Sequence, residues 1–275
     1  MTSLPPATLV VGGTGLLGRE LVARRGDALV ATRRHSPPGS DGVRWVTLDL
    51  ADRSAVDATL SELLPSVVIN AAYARVGPEL GAVTARAPGH LAESARAVGA
   101  RLVHLSTDVV FAGDRSHPYV ETDRPDPVHD YGRAKATAEH LVTAAAPDSL
   151  IVRTSLLYGS NHGAQEHLVG QAATGDVTFF TDEIRCPAHV ADLAEAIARL
   201  VAAGTTGIVH LAGADAVDRL TLARLLAPRL GVDPDHLRGG TTDPGVVRPR
   251  HLVLATDRAD LADVAPLPGC RARLG

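Results

Sequence analysis

Tyr131 and Lys135 stand four residues apart in the stretch YGRAK, and this lysine is the single one among 27 basic side chains, all the others being arginine. On a helix that spacing puts both side chains on one face. A phenol titrates near ~10, too high to exchange protons readily at neutrality, and an ammonium beside it favours the phenolate and lowers that value. The pair is therefore a usable general acid for a carbonyl oxygen that gains charge as hydride reaches its carbon. Lysine suits the task better than arginine, because a compact ammonium on a flexible stem can bond ribose hydroxyls and still sit beneath the phenol. A third group should hold the carbonyl oxygen. The stretch HLSTDVVF supplies it with Ser106, Thr107 and Asp108, of which the Thr107 hydroxyl can donate to a developing oxyanion.

Such groups work only if a scaffold brings them to one edge. Short β-branched runs at 8–13, 28–34, 42–50, 66–72, 101–108 and 149–155 predict strands, and the segments 16–26, 53–64, 87–99 and 131–146 predict helices between them. Strands alternating with helix-length segments mean βαβ units and a parallel sheet. Thr107 then falls at the carboxyl edge, where doubly wound folds bind ligands. After residue 155 the alternation loosens: helices are expected at 189–204 and 218–231, a strand at 208–213, and a proline-rich tail. The expected architecture is a doubly wound α/β Rossmann domain over 1–155 that binds NAD(P), followed by a smaller substrate-binding part over 156–275, with an approximate boundary across which the chain can pass back.

The first strand runs straight into GGTGLLG, where Gly12, Gly15 and Gly18 are spaced GxxGxxG at the start of a helix. A helix N-terminus offers unbonded N–H groups and a positive dipole end to a pyrophosphate, and glycines let it approach. Where the second strand ends, an NAD-binding protein places an acid for the ribose 2′-hydroxyl. This chain has Arg33 and Arg34 there, and guanidinium groups suit a 2′-phosphate. NADPH is thus the expected cofactor, with NADH as the alternative.

The totals exclude several other classes. A net charge of −4 provides no general attraction to DNA or RNA. No segment reaches the roughly 18 apolar residues of a membrane span, and the start carries no basic leader. Cys186 and Cys270 form no CxxC pair, so a reducing cytoplasm is expected. The nearest histidines, His162 and His167, lack the spacing that shares a helix face, and no metal site is expected.

Taken together, GGTGLLG, LDL, VINAAY, LSTDVVFAG, PDPVHDYGRAK, IVRTSLLYG and DEIRCPAHVADLAEAI resemble the extended short-chain dehydrogenase/reductases, and within them the dTDP-4-dehydrorhamnose reductase (RmlD-like) sugar-nucleotide family. The resemblance covers most of the chain. It implies Thr107, Tyr131 and Lys135 as a catalytic triad. Gly12, Thr14, Gly15, Leu16 and Leu17 would line the cofactor pyrophosphate, Asp49 and Leu50 the adenine, and Ala71, Ala72 and Tyr73 the ribose and nicotinamide. Thr107, Asp108, Val109, Leu156 and Arg185 would meet the substrate. Val109 stands where the related 4,6-dehydratases carry glutamate, which argues against dehydration. This chain also departs from the family's own pattern. Val109 replaces the tyrosine of STDYVF, Leu156 the tryptophan after RTS, Thr84 the asparagine of VNARAP, and Arg185 the glycine of QxGxP. Arg185 is read equally as a diphosphate ligand or as a surface arginine.

The activity implied is NADPH-dependent reduction of a nucleotide-linked 4-keto-6-deoxy sugar. The partners expected are that substrate and, among macromolecules, a second copy of the chain as a homodimer. Two other readings use the same residues. One is a sugar-nucleotide epimerase or a reductase of another carbonyl. The other is a regulatory subunit that binds NAD(P) without turnover, although a pure binder gains nothing from a tuned phenol.

Overall fold

Runs of valine, leucine and isoleucine form the predicted strands, each somewhat shorter than its apolar run. The computed structural model describes residues 2–5, 7–24, 30–33, 42–160, 163–173 and 175–275. In it, β1 (Thr8–Val11), β2 (Val30–Arg33), β3 (Arg44–Thr47), β4 (Val67–Asn70), β5 (Arg101–Thr107) and β6 (Leu150–Thr154) belong to one seven-stranded sheet. The strand Gly207–His210 lies beside β6 at one edge, and the order runs on through β5, β4, β1 and β2 to β3. β1 pairs in parallel with β2 and β4, β2 with β3, and β4 with β5. β1, β4 and β6 are buried at every residue, as strands covered on both faces must be. This is the doubly wound α/β fold, and its strand order reverses between β1 and β4.

Among the described residues four helices connect these strands: α1 (Leu16–Ala23), α2 (Arg53–Leu63), α3 (Ala87–Ala97) and α4 (Asp130–Ala145). Asp52 caps α2 by accepting the Ala55 N–H at 3.0 Å. The helix stops where Leu64 turns to a φ of 44°. Leu9, Leu60, Leu91, Leu102 and Val142 share one core in which these helices meet the sheet. A π-helical stretch, Leu80–Arg86, leads into α3 and lies outside what the apolar pattern predicts. Pro88 accounts for it: proline has no N–H for the Thr84 carbonyl four residues back, and its ring would crowd that carbonyl in an α-helical turn. A wider turn ahead of the proline relieves both.

The chain divides into two compact units. One comprises Met1–Ser106, Asp130–Val152 and Ala194–Val209, and the other Thr107–His129, Arg153–Leu193 and His210–Gly275. The chain passes between these units five times, so it crosses back beyond the approximate boundary expected near residue 155. The last return to the first unit follows from a contact distant in sequence: the Gly207–His210 strand lies at the edge of the main sheet. The second unit has its own core around Tyr158, Val169, Phe179, Leu222 and Leu226. It also contains a helix, Ala164–Ala172, that the sequence reading leaves out. No helix among the described residues is long and apolar enough to cross a membrane.

Candidate active site

At the end of β1 the backbone of Gly12 turns to a φ of 82°, which a side chain would resist. The turn is anchored to β2: Gly12 N–H donates to Thr32 Oγ1 at 3.1 Å, and Gly13 N–H to the Thr32 carbonyl at 3.0 Å. α1 starts directly after Gly15, and no side chain caps it. A β carbon on Gly18 would collide with the Gly12 carbonyl, so only glycine lets helix and turn pack this closely.

The turn forms one wall of a cleft of about 220 Å³. Val11, Gly12, Thr14 and Gly15 line it from β1 and the turn, Thr32 from β2, and Leu48, Asp49 and Leu50 from the end of β3. Ala71, Ala72, Tyr73 and Ala74 close it from β4, with Glu79 and Val83 behind them. The cleft lies at the switch point between β1 and β4, where open α/β sheets take their ligands. It brings together Gly12, Thr14, Gly15, Asp49, Leu50, Ala71, Ala72 and Tyr73 from the predicted set. Leu16 and Leu17 are not in the lining; they belong to α1, where Leu17 is buried against the core and Leu16 half-buried. The side chain of Arg33 and the whole of Arg34 lie outside the described residues. Val11, Thr32, Leu48, Ala74, Glu79 and Val83 line the cleft without having been singled out in the sequence.

Several bonds hold the wall after β4 in place. Ala71 N–H donates to the Val11 carbonyl at 2.9 Å, and Ala72 N–H to Asn70 Oδ1 at 3.2 Å. The second bond fixes the Asn70 amide, so its Nδ2 faces His104 Nδ1 at 3.3 Å as donor. His104 therefore carries its proton on Nε2. Burial, aided by the charge of Lys135, holds its pKa well below the usual histidine value, and the ring stays neutral.

Tyr73 connects the cleft to the tyrosine–lysine pair. Its ring centroid lies 6.0 Å from that of Tyr131, tilted by 57°, and the Lys135 Nζ lies 5.9 Å from the Tyr73 centroid. Both Tyr131 and Lys135 come from α4, as their spacing requires. Lys135 is buried and donates to the Leu105 carbonyl at 2.7 Å. One turn further along α4, the buried Glu139 accepts a 2.5 Å bond from Ser106 Oγ. Burial pushes the Lys135 ammonium down to about 8, while the Glu139 carboxylate pulls the other way. The sign follows directly. Lys135 is charged below that value and neutral above it, and removing the Glu139 charge moves the transition to lower pH. Glu139→Gln should therefore shift an alkaline fall of kcat that is set by Lys135 to lower pH. A kcat profile between pH 6 and 10 measures this, and an unmoved limb would show that Glu139 does not support the ammonium.

The remaining predicted residues belong to the second unit. Thr107, the last residue of β5, caps a short turn, Asp108–Val110, and its hydroxyl donates to Asp108 Oδ1 at 3.2 Å. Asp108 is buried and accepts from Ser155 Oγ at 2.6 Å. Val109 is half-buried, and Leu156 packs partly buried against the core of the unit. Arg185 is not a surface arginine: it is 4% exposed. Its terminal nitrogens donate to the Ile184 and Pro249 carbonyls, each at 2.9 Å, and its Nε lies 3.8 Å from Asp108. A diphosphate would have to displace these partners. Its nearest carboxylates, Asp108 and Glu183, are buried with it, as a buried guanidinium requires. His162 lies outside the described residues, and among the described residues no group of three or more His, Cys, Asp or Glu side chains is placed to hold a metal.

Fold and cleft define a Rossmann-type α/β protein with a glycine-walled cleft at its switch point. The chain belongs to the family described as RmlD substrate binding domain, which it matches over residues 7–274. It is 34% identical over 284 residues to the dTDP-4-dehydrorhamnose reductase of Mycolicibacterium smegmatis, covering 97% of this chain and 83% of that protein. It is 36% identical over 278 residues to the dTDP-4-keto-6-deoxy-D-glucose reductase of Streptomyces niveus, covering 94% and 92%. In fold it is similar to the dTDP-4-dehydrorhamnose reductase of Bacillus anthracis, solved in complex with NADP. That match has a TM-score of 0.81 at 23% identity and covers 100% of this chain and 98% of that one.

Proposed function

We propose that this chain is an NADPH-dependent reductase of a nucleotide-linked 4-keto-6-deoxy sugar. The observation that carries the reading is the junction at Tyr73, which lines the glycine-walled cleft and lies next to both Tyr131 and Lys135. The relatives support it, since two that match nearly the whole chain are named for reducing dTDP-linked keto sugars.

The residues present fit a dinucleotide. Gly12, Gly15 and Gly18 leave a cradle that β carbons would fill or distort, and the uncapped start of α1 suits a pyrophosphate. Asp49 and Leu50 would hold the adenine end, and Ala71, Ala72 and Tyr73 the nicotinamide end. When bound, the dinucleotide supplies hydride to the ketone carbon. Tyr131 holds the proton on its hydroxyl and gives it to the ketone oxygen. The Lys135 ammonium, fixed by the Leu105 carbonyl, makes that phenol a better acid, and its other N–H groups would bond ribose hydroxyls. The family resemblance assigns Thr107 to hold the oxygen and Asp108, Val109 and Leu156 to meet the sugar. On this reading the first unit is the nucleotide-binding part, and the second contributes the substrate residues. Cytoplasmic location and pairing as a homodimer belong to the same proposal.

The test is to incubate the protein with NADPH and dTDP-4-dehydrorhamnose or dTDP-4-keto-6-deoxyglucose and follow loss of nicotinamide absorbance. Keto-sugar-dependent oxidation of NADPH is expected, with NADH a poorer donor. Binding of NADPH with no turnover across a panel of nucleotide keto sugars would overturn the reading in favour of a binding subunit.

A further inference from the structure

Thr84 departs from the family's pattern, lies in the π-helical stretch Leu80–Arg86 and is 1% exposed. Its hydroxyl accepts from the Ala74 N–H at 2.7 Å and donates to the Ala74 carbonyl at 2.7 Å. One oxygen thus satisfies both backbone groups of a single residue, and that residue lines the cleft. Val83, next to Thr84, and Glu79, at the start of the same stretch, also line it. The segment 71–74 leaves β4 and is held near its start by Val11 and Asn70. Its far end is held by Thr84. Tyr73, adjacent to Ala74, is the residue whose ring meets Tyr131 and Lys135.

We infer that Thr84 is a positioning residue for the cofactor: its hydroxyl clamps the segment 71–74 against the π-helical stretch and so sets the nicotinamide-side wall of the cleft before any ligand arrives. The chemistry of the clamp is particular to a hydroxyl, which donates and accepts at one atom, whereas an asparagine presents those functions on two separate atoms. Valine has the shape of threonine without the hydroxyl, and it would leave a backbone N–H and a carbonyl without partners. The ligand would then have to restore an order that the wild-type protein already holds.

This inference rests on reading the cleft as the dinucleotide site, so the test has one readout that needs no dinucleotide. In the cofactor-free protein, hydrogen exchange of the Ala74 amide should be ~10-fold faster in Thr84→Val than in wild type, and close to wild type in Thr84→Ser. NADPH should bind Thr84→Val ~10-fold more weakly, with kcat at saturating NADPH changed much less and with Thr84→Ser restoring affinity. Unchanged Ala74 exchange in Thr84→Val would overturn the clamp. Faster exchange with unchanged NADPH affinity would overturn its role in binding. If wild type binds no NADPH, the proposed function fails, while the exchange measurement still decides the clamp. Should Thr84→Val fail to fold, Thr84→Ala removes the same hydroxyl and is judged by the same outcomes.

Discussion

Tyr131→Phe is expected to lower kcat by ~10²–10⁴, the usual loss when a general acid is removed. The substitution takes one oxygen and leaves the ring, so the contact with Tyr73 at 6.0 Å persists. Lys135 keeps its bond to the Leu105 carbonyl, because nothing in that bond involves the phenol. Affinity for NADPH should therefore stay within a factor of a few while turnover collapses. The pH profile separates the two roles. Burial sets the Lys135 ammonium at about 8, so it is charged below that pH and loses its proton above. On the proposed mechanism wild-type kcat should fall ~10-fold per pH unit beyond that point, because the ammonium assigned to assist the phenol is lost. The residual activity of Tyr131→Phe has no phenol to tune and should show no such fall. Stopped-flow oxidation of NADPH at several pH values, together with a binding titration, measures all three quantities. Turnover of the variant within a factor of a few of wild type would remove Tyr131 from the chemistry.

The features legible in the sequence are those with local causes. The glycine spacing after β1 requires a tight turn. The four-residue interval between Tyr131 and Lys135 requires one helix face, and the structure places both on α4 beside Tyr73. The strands of the main sheet before residue 155 follow from apolar runs alone. What escaped the reading depends on partners remote in the chain. Nothing around Gly207–His210 says that this strand returns to the edge beside β6. Arg185 looks like any arginine in an arginine-rich chain, and its burial follows from Asp108 and Pro249, 77 and 64 positions away. Thr84 stood out only as a departure from the family's pattern, because its function lies in a bond to Ala74 across a turn. Pro88 was visible, but its effect on the helix ahead of it depends on where that helix begins.

Gly12→Ala is expected to weaken NADPH binding by ~10²-fold or more, with a much smaller effect on kcat at saturation. Two costs combine. The backbone at Gly12 has a φ of 82°, which charges an alanine ~1–2 kcal/mol. The new β carbon would also lie 2.8 Å from the Ala72 nitrogen and 2.9 Å from its α carbon, both backbone atoms. Overpacking of that kind costs ~1–3 kcal/mol. The clash joins the turn after β1 to the segment after β4, the two walls of the cleft, so relief requires them to part. A ligand gripped between them must then draw them together again, and that work appears in its affinity. Gly99→Ala provides the control. Gly99 has a φ of 73° at the end of α3, yet a β carbon there would meet nothing within 4 Å. It should lose a comparable amount of stability from the backbone alone and keep its affinity for NADPH. If both variants bind NADPH alike, strain at Gly12 is a matter of folding only, and the cleft between β1 and β4 is not where the dinucleotide sits.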